Sequence, residues 1–200
     1  MIILPTSYFP NLEYFKILFK NDVVFLDGFE RYEKQTFRNR ATILSANGNL
    51  DLSVPVIRPS GKSTLVNEVE ISNVEDWRKD HLKAIESAYR NTPYFEYYWD
   101  AIKDLLSRDY KTLAELNFEL IQHLIQKIGL SARVKKTTEF NDFIEGDFRR
   151  SLHPKKESTF KSKHYIQTFE ERHGFYPNPS ILDLLFNEGP NSISILQESL

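Results

Sequence analysis

Val23-Val24-Phe25-Leu26-Asp27-Gly28, followed after a polar interval by Arg38-Asn39-Arg40-Ala41-Thr42-Ile43-Leu44, is the stretch that decides how this chain folds. An apolar β-branched and aromatic run stopped by Asp-Gly predicts a strand. Ala41 to Leu44, then Asn47-Gly48, then Leu50 to Val56 predicts a β-hairpin, because a Gly-containing turn between two β-patterned runs is a strong short-range hairpin signal. Arg38 and Arg40 lie two apart, so on a strand both side chains point to one face. A guanidinium is a planar fork of donors suited to carboxylate or phosphate. Arg38, Asn39 and Arg40 are therefore candidates for binding an anionic substrate. The alternative is a pair of solvated arginines on an outer face.

Upstream, Met1 to Leu4 is a short apolar run, and Asn11 can cap a helix carrying Leu12, Phe15, Ile17, Leu18 and Phe19. With Val23 to Leu26 this makes a βαβ unit, which implies a parallel strand pair with a right-handed crossover. Ligands of such units sit at the carboxyl ends of the strands. Here those ends are Thr6 to Pro10, with Tyr8, and Asp27 to Phe29, and the two loops should face one another.

Downstream, Gly61-Lys62-Ser63 is not a phosphate loop, because Val56 stands where the motif requires glycine. It reads as a polar surface loop, and Val66, Val69 and Ile71 predict a strand. Three helices follow. Trp77 to Tyr89 has Leu82, Ile85 and Tyr89 on one face. Thr92-Pro93 opens Tyr94 to Ser107. Thr112 and Glu115 form a capping box for a helix running through Leu113, Leu116, Leu120, Leu124 and Ile128 to a stop at Gly129. Arg133 to Phe140 predicts a strand. From Asn141 to Lys163 periodicity fades while Arg149, Arg150, Lys155, Lys156, Lys161 and Lys163 accumulate. This segment either orders around a ligand or is a solvated loop. His164 to His173 and Ser180 to Gly189 predict the last helices. The pattern is one α/β domain over residues 1–200, with an N-terminal βαβ unit, a β-hairpin and a mid-chain helical cluster.

The 200 residues suffice for a substantial core. Mean hydropathy is -0.46, and no apolar run is long enough to span a bilayer. The N-terminus lacks a basic region ahead of its apolar run, so it does not read as a secretory signal. With no cysteine there are no disulfides, thiolate metal sites or thiol nucleophiles, which fits a cytoplasmic location. A net charge of -2 argues against a nucleic-acid footprint. An aromatic share of 14% points to a ring-built core and a pocket lined by rings.

No dinucleotide turn, zinc-binding helix or serine elbow is present. The candidate bases are His81, one turn after Trp77, and Asp27, at a strand end. A helical histidine is also commonly a satisfied structural residue, and an aspartate before glycine a turn residue. Tyr8 can bond a substrate or pack. Asp183 and Asn187 share a helical face, though Asp183 can serve as a cap. The spacing of His153 and His164 supports no metal site, and the sequence names no cofactor.

Several stretches together resemble the WbqC-like family: Tyr8-Phe9-Pro10 with Leu12 and Tyr14-Phe15; Val24 to Asp27 with Arg38-Asn39-Arg40 and Ser53 to Val56; Trp77, His81, Ile85, Tyr89 and Pro93-Tyr94-Phe95; and Asn178 to Pro190. The chain departs from that pattern at Leu4, where many members have Gln, and at Leu82, where Trp is common. A Tyr-Leu-Ser-Gly-type segment of longer members is missing. The resemblance implies a role in O-antigen or other surface-polysaccharide synthesis, with transfer of a glycine-type or related acyl group to a sugar. On that reading His81 or Asp27 removes the acceptor proton, Arg38 and Arg40 bind the phosphate or carboxylate of a nucleotide-sugar or other small-molecule substrate, and Asn39, Tyr8, Asp183 and Asn187 contact it. All of this requires the arginines, Asp27 and His81 to converge on one cavity. The competing readings are a non-catalytic module for an anionic ligand and, less favoured by charge, an RNA binder.

Overall fold

The computed structural model describes residues 1–57, 64–140 and 145–200. Strand β1 (Ile2–Pro5), helix α1 (Leu12–Phe19) and strand β2 (Val23–Asp27) form the expected βαβ unit, with β1 and β2 parallel and Ile2 opposite Val24 through Pro5 opposite Asp27. The Asn11 side chain caps α1 by accepting from the Tyr14 N–H at 3.1 Å. Helix α1 buries Leu12, Phe15 and Leu18. Lys16 is buried too, and its ammonium donates to the carbonyls of Leu196 and Gln197 at 2.8 and 2.9 Å. Those carbonyls end the last helix of the chain, where a cation is favoured.

Strands β3 (Arg40–Ser45) and β4 (Gly48–Ser53) form the hairpin as a separate two-stranded sheet. Ser45 pairs with Gly48, so the turn residues are Ala46 and Asn47, one position earlier than the sequence pattern implied. Gly48 takes the positive φ of +99° that returns the chain to the ladder. Strand β5 (Val56–Ile57) pairs antiparallel with β6 (Glu70–Ile71). The strand expected over Val66 to Ile71 is shorter, because Val66–Glu68 is a 3-10 turn. The predicted loop at Gly61-Lys62-Ser63 lies outside the described residues.

Helices α2 (Trp77–Tyr89), α3 (Phe95–Ser107) and α4 (Leu113–Ile128) match the mid-chain reading. The Thr112–Glu115 box closes reciprocally around the start of α4, and Gly129 ends it in the left-handed conformation. Strand β7 (Arg133–Lys136) pairs parallel with the free side of β2, giving a three-stranded parallel sheet in the order β1-β2-β7. It stops well short of Phe140. Of the helix expected over His164 to His173, only α5 (Glu170–His173) forms. Helices α6 (Ile181–Glu188) and α7 (Ser192–Glu198) close the chain. One core draws on both chain ends: Leu4, Phe15, Val24, Ile85, Leu120 and Phe186 all belong to it.

The described part of the charged 141–163 segment has neither helix nor strand, yet it is anchored. Leu152 and Phe160 are buried in the core. Residues 146–148 lie along the outer edge of β1: the Ile3 N–H donates to the Gly146 carbonyl at 3.0 Å, and the Phe148 N–H donates to the Ile3 carbonyl at 2.9 Å. Gly146 makes this approach possible. Its φ is +87°, and a Cβ there would stand 2.8 Å from the Met1 carbonyl oxygen. Gly146→Ala is therefore expected to lower the unfolding free energy by about 1–3 kcal/mol, the range for a residue held in a disfavoured backbone region. An unchanged urea midpoint would show that the approach is looser than described.

Candidate functional site

The loop after β2 is held by two buried ion pairs. Asp27 closes the strand and is fully buried. Its Oδ1 accepts from the Phe29 N–H and the Thr137 hydroxyl, each at 2.9 Å, and its Oδ2 accepts from Arg149 Nη1. Arg149 also grips Asp147 through Nε at 3.0 Å and Nη2 at 2.8 Å. Arg38 makes a two-point contact with Glu30, Nε to Oε1 at 2.8 Å and Nη2 to Oε2 at 2.5 Å. Burial raises the proton affinity of Glu30 above the ordinary carboxylate value, and the Arg38 bonds pull it back.

Arg38 and Arg40 do not share a face. Residues 37–39 form a turn and the strand begins at Arg40, so two-residue alternation does not apply to the pair. Arg38 points inward to Glu30, while Arg40 reaches Asp51 across the hairpin at 3.4 Å, partly exposed. The Asn39 side-chain amide donates to the Val54 carbonyl at 3.0 Å and ties the turn to the end of the hairpin.

His81 is buried on α2 with its Nδ1 2.8 Å from the Tyr8 hydroxyl and its ring 5.1 Å from that of Trp77. Burial lowers its pKa to about 4, partly opposed by the Ser53 backbone. The ring is thus neutral at pH 7. Burial also raises the Tyr8 pKa well above 10, so the phenol keeps its proton and donates to Nδ1. Asp183 is fully buried on α6, and its Oδ2 accepts from the Tyr165 hydroxyl at 2.6 Å. The Asn187 amide donates to the Asp183 backbone carbonyl at 2.8 Å, and its Oδ1 accepts from Thr168.

Three cavities lie around these groups. The largest, about 700 Å³, is a cationic cleft with Arg31, Arg38, Arg149, Arg150, Lys155 and Lys156 in its walls against the carboxylates Glu30 and Glu33. Among the described residues the side chains of Arg31, Lys155 and Lys156 make no ion pair. An adjoining pocket of about 200 Å³ shares His153 and Lys156 with the cleft and is lined by Tyr8, Arg40, Asn11 and Asn178. A third cavity of about 310 Å³ sits at the carboxyl ends of the parallel strands, between Gly28, Phe29, Thr137 and Lys136. Asp27 stands between the first and third, bonded to Arg149 on one side and to Thr137 and the Phe29 N–H on the other. The cleft opens where βαβ units take ligands, beyond the carboxyl end of β2.

The structure therefore distributes the expected groups. Arg38 lines the cationic cleft, and Tyr8 and Arg40 line the adjoining pocket. Asp27, Asn39, His81, Asp183 and Asn187 line none of the three cavities. The expected convergence on one hollow is replaced by a groove whose cations come largely from residues 149–156. The charge run marks these residues in sequence, but its pattern does not say which of them face a cleft and which face solvent. His153 joins the two compartments. Its Nδ1 accepts from the Lys155 N–H at 3.1 Å, and its Nε2 lies 3.7 Å from Glu33. Among the described residues no cluster of three or more His, Asp or Glu could hold a metal ion, and no helix is long and apolar enough to cross a membrane.

A mixed α/β chain with a cationic groove beyond the end of its central parallel strand is the class these features define. The WbqC-like protein family model matches residues 6–168, and the chain belongs to that family. It is also similar to a Mycobacterium tuberculosis strain H37Rv protein described as uncharacterized protein Rv1507c, 24% identical over an alignment of 224 positions, gaps included, that spans 98% of this chain and 96% of the relative. No solved structure matches the chain significantly.

Two measurements test the buried network. Removing one partner of a buried pair strands the other charge, at a cost of about 3–5 kcal/mol. Arg149→Met should lower stability by that order in a guanidinium chloride titration, and adding Asp27→Asn should restore part of the loss. Equal stability of the single and double variants would mean that Asp27 needs no countercharge. The second concerns Asp183, whose pKa burial pushes up to about 7 against the bonds from Tyr165, Tyr89 and Gln167. Between about pH 4 and pH 7 the folded chain keeps a proton that the unfolded chain has released, so this group makes stability fall as pH rises. His81 acts oppositely: between its ordinary value and about 4 the unfolded chain takes a proton the folded one refuses, so acid weakens the fold. Asp183→Asn removes only the first effect. Its melting temperature should gain on that of the unsubstituted protein as pH rises through that window, and a constant difference would contradict the assignment.

Proposed function

We propose that this protein transfers an acyl or aminoacyl group of the glycine type to a sugar in surface-polysaccharide (O-antigen) synthesis, and that the cationic cleft holds the phosphates of a nucleotide-linked substrate. The observation that carries this reading is the charge of the cleft: Arg38 is matched by Glu30 and Arg149 by Asp27 and Asp147, while among the described residues the side chains of Arg31, Lys155 and Lys156 make no ion pair and face the carboxylate of Glu33. Phosphate oxygens meeting several cations at once give short, charge-assisted bonds and raise the local concentration of an anionic substrate. The adjoining pocket suits a sugar, with amide and hydroxyl groups beside the rings of Phe9 and Phe37. The family resemblance supports the polysaccharide context, and the reaction so read takes place in the cytoplasm.

On this reading Asp27, Glu30 and His81 position other groups. Asp27 fixes Arg149, Glu30 fixes Arg38, and His81 holds Tyr8, whose ring lines the sugar compartment. The groups free to exchange a proton with the acceptor are Glu33 and His153, at the junction of cleft and pocket. A binding module without turnover is the second reading. It is favoured by the engagement of both His81 and Asp27 within the protein.

Lys155→Gln with Lys156→Gln is expected to weaken pyrophosphate binding about tenfold or more, as two lost charge-assisted contacts would. Glu33→Gln and His153→Asn should each lower acyl transfer to a nucleotide sugar about 100- to 10,000-fold with little change in binding, the usual contribution of a positioned acid or base. Full turnover in both would remove them from the reaction. Binding with no turnover of any acyl donor in the unsubstituted protein would favour the binding module.

A further inference from the structure

The cleft holds one feature that phosphate binding leaves unexplained. Phe140 is 50% exposed, and its ring is the aromatic surface in a wall otherwise made of charged side chains and His153. An aromatic ring left half in water gives up about half of the stabilisation that full burial would supply, since that stabilisation follows the apolar area removed from solvent. Its position is nonetheless controlled. The Arg149 guanidinium sits 5.2 Å from the ring centroid, and that guanidinium is fixed by Asp27 and Asp147. The ring is thus held against a rigid cation, and both line a cleft with further cations.

A flat ring beside an array of ammonium and guanidinium groups is the combination that binds a nucleobase and its phosphates together. Every base has a π-face, so stacking on an aromatic ring is worth having whichever base is present, and arginine beside the stack adds to it. A cleft of this volume is about 11 Å across if drawn as a sphere, within the range of small-molecule sites. That leaves room for a base on one wall and a diphosphate on the other. We infer that Phe140 is the stacking platform for a nucleobase and that the ligand of the cleft is a nucleoside diphosphate unit, its base on Phe140 and its phosphates among Arg31, Lys155 and Lys156. This inference rests on the reading of the cleft as the phosphate site of a nucleotide-linked substrate and adds the residue that would hold the base. Because Asp27 and Asp147 hold the guanidinium that contacts the ring, the platform exists before the ligand arrives, which lowers the ordering cost of binding.

The test compares UDP, ADP and inorganic pyrophosphate by isothermal titration against the unsubstituted protein, Phe140→Ala and Phe140→Trp. Both nucleotides should bind more tightly than pyrophosphate. Phe140→Ala should weaken UDP and ADP about tenfold or more, the loss expected when one stacked base loses its ring, and leave pyrophosphate unchanged. Phe140→Trp should keep nucleotide affinity, and its indole fluorescence should be quenched on titration with UDP. Because the ring is half exposed, both variants are expected to remain folded at the titration temperature, and a melting curve separates lost stacking from lost folding. Equal affinity for pyrophosphate and UDP, with no effect of Phe140→Ala on either, overturns the stacking platform while leaving the phosphate site standing. No binding of any of the three overturns both.

Discussion

The buried contact between Asp27 and Arg149 is the constraint around which the described groove is arranged. Asp27 ends the central strand of the parallel sheet, and Arg149 arrives from a segment with no helix or strand of its own. Both side chains are about 1% exposed. Taking a carboxylate and a guanidinium out of water is costly, and only full satisfaction of their bonding groups offsets it. Asp27 accepts from three donors and Arg149 is shared with Asp147, so the requirement is met within the fold. Such a pair adds little net stability compared with apolar packing. It does fix a guanidinium and the loop that carries it in one place.

That fixed loop decides which charges line the groove. Residues 149–156 supply Arg149, Arg150, His153, Lys155 and Lys156, and the loop after β2 supplies Glu30, Arg31 and Glu33. Neither segment alone makes a site. Set against each other, they surround a hollow at the place where parallel sheets present ligands. The glycine-permitted approach of residue 146 to β1 sets the start of the first segment, and Leu152 and Phe160, buried in the core, hold its further course. Sheet edge, apolar anchors and ion pair act in series, so the chemistry of the cleft is coupled to the packing of the core.

His81 and Tyr8 illustrate a different use of polar groups. Each is buried, each satisfies the other, and the shared bond joins the loop after β1 to helix α2. A neutral imidazole costs far less to bury than a charged one, and the lowered pKa of His81 expresses that preference. Asp183 follows the same logic from the acid side: burial favours its protonated form, which bonds within a tyrosine-rich interior. His81 holds Tyr8, which lines the smaller pocket, while Asp183 lines none of the three cavities.

The βαβ unit, the hairpin and the three central helices were legible from the sequence because each depends on near neighbours. Asn11 caps its own helix, Thr112 and Glu115 cap theirs, Gly129 ends it, and apolar spacing marks the buried faces. The turn falls at Ala46-Asn47, one residue before the Asn47-Gly48 pattern, since the pattern shows that a hairpin turns but not which backbone conformation Gly48 takes to close it. The site was less legible. Arg38 and Arg40 share a direction only if both lie on the strand, and the strand begins at residue 40. Arg149 was hidden in a charge run whose members look alike in sequence. Its partner Asp27 lies 122 positions away, and nothing local says which of many acids will be buried beside it. Local hydrogen bonding and hydrophobic period determine the elements; which charges meet, which are desolvated and which remain in the groove is decided only when distant loops pack, because the energy of a charge depends on the solvent and partners left around it.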